Sequence, residues 1–156
     1  MPYQCKLREI QSQPVLSIRG KAAPATLTAT IGKYLQDVGR YVNGAGGKIA
    51  GPVFTRYHQR AGDDIELEAG VLVDRALPGD GSVHAGELPA GLAVATVHVG
   101  PYDGLPAASE ALGSWVQQNG REPAGPPWEF YLNDPSVTDP AEWQTEVLQP
   151  LMPQYF

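Results

Sequence analysis

The stretch Pro126-Pro127-Trp128-Glu129-Phe130-Tyr131-Leu132-Asn133-Asp134-Pro135 sets one carboxylate among four large apolar or aromatic side chains. Prolines and an Asn-Asp turn bracket the run, and the residues between them are strand formers. Side chains alternate along a strand, so Trp128, Phe130 and Leu132 are expected on one face and Glu129 and Tyr131 on the other. The glutamate then either meets water on a solvated sheet face or lines a site built to hold it.

The same strand occurs earlier in the chain. GPVFTRYH (51–58) aligns without a gap on GPPWEFYL (125–132), pairing Phe54 with Trp128, Thr55 with Glu129 and Tyr57 with Tyr131. Around each copy the pattern repeats. Pro14 to Arg19 reads as a strand, and Leu27, Ile31, Leu35, Val38 and Val42 make one helical stripe that Asn43-Gly44 and Gly46-Gly47 close. Val53 to His58 and Ile65 to Asp74 read as strands, the second with strict apolar alternation. After a polar stretch from Leu77 to Pro89, Leu92 to Val99 is again a strand. Asp103 stands where a helix cap would, Leu105, Ala108, Leu112, Trp115 and Val116 form the next stripe, and Gly120 ends it. Thr145 to Leu151 is the last strand.

These elements predict an α+β fold, a duplicated βαββ unit forming an antiparallel sheet with two main helices on one face and a pseudo-twofold central cleft. One domain over 1–156 is expected, with halves of about 1–76 and 90–156 and a linker at 77–89. Alternation alone leaves open whether the Glu129/Tyr131 face lines the cleft or packs under the helices.

Composition narrows the function. Charged residues are 18% of the 156 and hydrophobic ones 42%, as in a chain with a packed core. Net charge is −6, from 17 acidic and 11 basic residues, and no basic stripe suggests direct nucleic-acid binding. No apolar run approaches the ~20 residues of a membrane span, and no signal-peptide pattern opens the chain. A single cysteine, Cys5, suits a reducing compartment, so a cytoplasmic protein without a membrane partner is expected.

Familiar chemical motifs are missing. His58, His84 and His98 have no partner at metal-ligand spacing, GAGGKIAG (44–51) lacks P-loop spacing, and Ser109 and Ser114 have no identifiable base. No cofactor or metal is expected. What remains is an excess of aromatics and acids at strand positions: Tyr57, Tyr102, Trp128, Glu129, Tyr131, Trp143 and Glu146, with Phe54 and Thr55 at the paired positions of the first half.

In their order and spacing, VHVGPYDGL (97–105), the helix ending in an Asn-Gly turn, WEFYLNDP (128–135) and DPAEWQTEVLQPL (139–151) resemble the GyrI-like domains, also described as AraC- or MerR-type effector-binding domains. The resemblance spans nearly the whole chain. It implies a module whose pocket binds hydrophobic, often flat and cationic small molecules, with a glutamate that falls here on Glu129, Tyr131 beside it, and a second acid at Glu146. It also implies two alternatives. One is a hydrolase of cyclopropane-bearing DNA-alkylating compounds, with Glu129 as acid/base and Tyr131 or Tyr57 holding the substrate. The other is a protein acting on a partner such as a topoisomerase.

Overall fold

The computed structural model describes residues 3–153 and contains eight strands and two main helices. The strands are β1 (Lys6–Ile10), β2 (Gln13–Ala22), β3 (Ile49–Ala61), β4 (Asp64–Val73), β5 (His84–Leu88), β6 (Gly91–Val99), β7 (Trp128–Tyr131) and β8 (Gln144–Pro150). The helices are α1 (Leu27–Gly44) and α2 (Leu105–Gln118). The chain divides into two compact units, one running from Ser12 to Pro89 and the other joining residues up to Gln11 with those from Ala90 onward.

In the Ser12–Pro89 unit an antiparallel ladder runs β3-β4-β2-β5. Its registers put Leu16, Ile18 and Ala22 of β2 on one face with Leu67, Ala69 and Val71 of β4. That face packs on α1, whose Val38 and Val42 have no exposed surface. Burying each such valine contributes about 1.5–3 kcal/mol. The apolar alternation expected from Ile65 to Val73 is therefore the helix-facing side of β4. The helix continues through Gly44 and stops at Gly46, whose φ of 75° no side chain adopts cheaply, with Gly47 N–H returning to the Val42 carbonyl.

The other unit has the ladder β1-β6-β8-β7. Val94 and Val147 pack against Leu105, Ala108, Leu112 and Val116 of α2. Asp103 does not cap this helix. It lies inside a 3-10 turn, Tyr102–Gly104, and Gly104 occupies the cap position with no side-chain hydrogen bond. Pro106, in the first turn of α2, has no N–H to be capped. At the far end Gly120 takes a φ of 62°, as the pattern predicts.

Two strands differ from the expected pattern. β5 lies inside the stretch expected as a linker, paired with β2, while β1 pairs with β6 rather than joining the half that follows it. Each unit thus consists of its βαββ core plus an edge strand supplied from just before the other core. Both edge strands are exposed along almost their whole length, so neither carries the alternation that periodicity detects.

Close strand approach in β4 depends on Gly70, where a Cβ would stand 2.2 Å from the Leu16 carbonyl oxygen, a backbone atom that cannot turn aside. Gly70→Ala is expected to lose about 1–3 kcal/mol in urea unfolding. An unchanged midpoint would show that β2 and β4 part freely there.

Candidate functional site

β7 is short because its sequence bounds it. Pro126 and Pro127 donate no hydrogen bond before it, and after it the Asn133 side chain accepts from Gln144 N–H at 3.0 Å and donates to the Glu142 carbonyl at 3.0 Å. Leu132, expected to extend the strand, lies just beyond it and is exposed. Within β7, Glu129 is paired with Val147 and Tyr131 with Thr145 of β8. Paired residues share a face. Glu129 and Tyr131 lie on the same sheet face as Val147, which packs against α2, and Glu129 is only 5% exposed.

The Tyr131 hydroxyl donates to Glu129 Oε1 at 3.0 Å. Against Tyr131 lies the Tyr102 ring, 5.7 Å between centroids, and Tyr102 stacks on Trp143 at 4.6 Å and 28°. Two further bonds hold this pair: Trp143 Nε1 donates to the Thr138 carbonyl at 2.9 Å, and Gly100 N–H donates to the Trp143 carbonyl at 2.8 Å. One buried carboxylate is thereby grouped with two phenols and an indole, each with a π face or a hydroxyl to present.

Of the residues singled out from the sequence, the structure brings Glu129, Tyr131, Tyr102 and Trp143 together. Trp128 faces the other way, 1% exposed, with its ring edge toward Phe130. Glu146 also faces the other way, because it pairs with Phe130 and Val97. It lines an open groove of about 700 Å³ with Lys6, Arg8, Val97 and Val99, and Arg8 forms an ion pair with it. The acid expected to share a pocket with Glu129 is thus separated from it by the thickness of the sheet. Phe54, Thr55 and Tyr57 belong to the Ser12–Pro89 unit. There, Thr55 and Tyr57 occupy the helix-covered face and Phe54 the opposite one, matching their counterparts in β7.

His98 and Thr145 were not among the expected site residues. They flank one another in the register, and His98 pairs with Thr145 as Thr145 pairs with Tyr131. His98 Nε2 donates to the Pro101 carbonyl at 2.9 Å, which leaves Nδ1 to accept from the Tyr3 hydroxyl at 2.8 Å. The histidine fastens the segment that carries Tyr102. The only sequence signal for this pair was alternation outward from Val147, and it is blurred because Val147 and Leu148 are both buried.

Among the described residues no helix is long and apolar enough to cross a membrane. A model of the GyrI-like small molecule binding domain matches residues 3–152. The chain belongs to this family. Its GyrI-like fold is similar to the C-terminal domain of EcmrR, at 29% identity and a TM-score of 0.87 over 97% of this chain and 99% of that one. It is equally similar to EcmrR in its DNA complex, at 29% identity and a TM-score of 0.86 over 96% of this chain, where it spans 57% of the EcmrR chain. Two more distant structures share the fold. A hydrolase from Listeria innocua is 13% identical, with a TM-score of 0.66 over 97% of this chain and 93% of that one. SAV2435 bound to tetraphenylphosphonium is 16% identical, with a TM-score of 0.60 over 97% and 94%. No curated protein matches the chain.

Burial first, and then the charges of Glu129 and Asp134, raise the Tyr102 hydroxyl above the ordinary value of 10.0. The folded chain therefore keeps a proton that the unfolded chain releases. This contribution to stability is fully present below about pH 10 and is lost as pH rises through the raised value. Above about pH 10, urea midpoints of the wild type are expected to fall faster than those of Tyr102→Phe. Parallel curves would show that neither burial nor the nearby carboxylates perturb Tyr102.

Proposed function

We propose that this GyrI-like domain binds hydrophobic, flat or propeller-shaped organic cations, with Glu129 as the electrostatic pole of the site. The observation that carries the reading is a carboxylate on a helix-covered sheet face, 5% exposed, with the Tyr131 hydroxyl on one oxygen and the Tyr102 and Trp143 rings close by. Removing a carboxylate from water is costly, and charge pairing offsets part of that cost. A cation at Glu129 adds such pairing to the Tyr131 hydrogen bond. Each aromatic face adjoining the cation adds about 0.5–2 kcal/mol of cation–π attraction. Flat walls discriminate poorly among flat ligands, which suits a binder of broad range. The net charge of −6 favours cations at longer range as well. The domain on its own is taken to act on small molecules rather than on nucleic acid, in keeping with its acidity. That SAV2435, of the same fold, has been solved with a phosphonium cation supports this ligand class.

The carboxylate–phenol contact favours a second reading. A carboxylate held by a hydroxyl donor can orient water or move a proton, a contribution of about 10²–10⁴-fold to a hydrolysis. The ring opening of an electrophilic cyclopropane by water would use Glu129 in that role.

Calorimetry with tetraphenylphosphonium and neutral triphenylphosphine oxide tests the first reading. Glu129→Gln is expected to weaken the cation at least about tenfold, some 1.4 kcal/mol, and to weaken the neutral compound far less. Equal losses for both would remove the carboxylate from the account. For the second reading, substoichiometric protein should turn over a cyclopropane-bearing alkylating agent many times, and Glu129→Gln should still bind it without releasing product. One turnover or none would leave sequestration as the activity.

A further inference from the structure

The two ladders can be matched row by row: Thr55 pairs with Ala69, which pairs with Ile18, as Glu129 pairs with Val147, which pairs with Thr96. One row further along the helix-covered face, Tyr57, Leu67 and Gly20 correspond to Tyr131, Thr145 and His98. The first row is apolar beyond its tyrosine. Leu67 is completely buried, and the space beside Gly20 is taken by Tyr34, whose hydroxyl would lie 2.2 Å from any Cβ there. The second row is polar throughout.

Thr145 is the unusual member. It has no exposed surface, and its hydroxyl finds no hydrogen-bond partner among the described residues. Its lateral neighbours direct their polar atoms elsewhere. Tyr131 donates to Glu129, and both ring nitrogens of His98 are engaged by Pro101 and Tyr3. A buried hydroxyl without a partner is destabilising. The fold itself accepts an apolar side chain at this row, since Leu67 fills the corresponding place in the other unit. Packing therefore accounts for the volume of Thr145 and not for its oxygen.

We propose that the Thr145 hydroxyl is a specificity-determining contact of the Glu129 site, accepting a hydrogen bond from the ligand. This rests on the cation-binding reading above and deepens it. The preferred ligands are then cations that carry N–H donors, such as protonated amines and aminated heteroaromatic cations, over fully substituted onium ions. Directly opposite Tyr131 in the register, Thr145 lies about 5 Å away between Cβ atoms, one step along the row from the hydroxyl that holds Glu129. A cation held at Glu129 brings its N–H groups toward Thr145, whose hydroxyl has no partner among the described residues.

Two probes of like charge separate the roles: tetraphenylphosphonium, which has no N–H, and proflavine, a planar diaminoacridinium. Affinities are measured by calorimetry for wild type, Thr145→Val, Thr145→Ser and Glu129→Gln, alongside thermal unfolding. Thr145→Val is expected to lower the ratio of proflavine to tetraphenylphosphonium affinity about three- to tenfold, the worth of one hydrogen bond, without lowering the unfolding temperature. Thr145→Ser should restore the ratio. A ratio within about twofold of wild type in Thr145→Val would overturn the proposal. So would failure of that variant to fold, because the hydroxyl would then be structural, or an equal fall in Thr145→Ser. The Glu129→Gln arm stands apart. Loss of both cations there upholds the carboxylate whatever Thr145 does, whereas a wild type that binds neither probe overturns both claims together.

Discussion

Tyr131 can donate to Glu129 only because a strand returns to the same side every second residue, and the remainder of the site follows from that constraint. With β7 in register against β8, both side chains share a face with Val147, and the Tyr102 ring meets Tyr131 there. A slip of one residue would exchange the faces, exposing the helix side to Trp128 and Phe130 and sending the carboxylate away from Tyr102. The Pro126-Pro127 entry and the Asn133 side chain, which takes over bonds that backbone would otherwise make, help to hold β7 against such a slip.

Duplication explains how so local a site arises on a regular scaffold. Both units present a helix-covered sheet face with a tyrosine at the same row, yet their chemistry differs. One face carries Thr55, Ala69, Leu67 and Gly20 where the other carries Glu129, Val147, Thr145 and His98. The carboxylate and the imidazole are both in one unit, on two adjacent rows. Carboxylate, hydroxyl and imidazole groups on a buried face need partners at every step. Tyr131, Tyr3 and the Pro101 carbonyl supply several of them.

Much of this was readable from the residues. The gapless match of GPVFTRYH with GPPWEFYL gave the repeat, the alternation of Glu129 with Trp128 and Phe130 was correct, and the helical stripes fell on the helices observed. Besides His98 and Thr145, three features were not readable. β1 and β5 are exposed edge strands whose composition resembles loop, so only hydrogen bonding reveals them. Asp103 has the residue type of a cap, but a 3-10 turn ahead of α2 moves the cap to Gly104. Glu146 shares acidity and proximity in sequence with the aromatic cluster. Its face, however, depends on the β7–β8 register, and two consecutive buried residues, Val147 and Leu148, give alternation no preference between the faces.

The central claim is that the Glu129 carboxylate, rather than any other acid of this acidic chain, receives the cation. A crystal structure of the domain with tetraphenylphosphonium tests it most directly. The account predicts the phosphonium centre beside Glu129, with rings of Tyr102, Tyr131 or Trp143 within about 6 Å of it. A cation seated instead in the groove beside Glu146, with the Glu129–Tyr131 contact undisturbed, would contradict it.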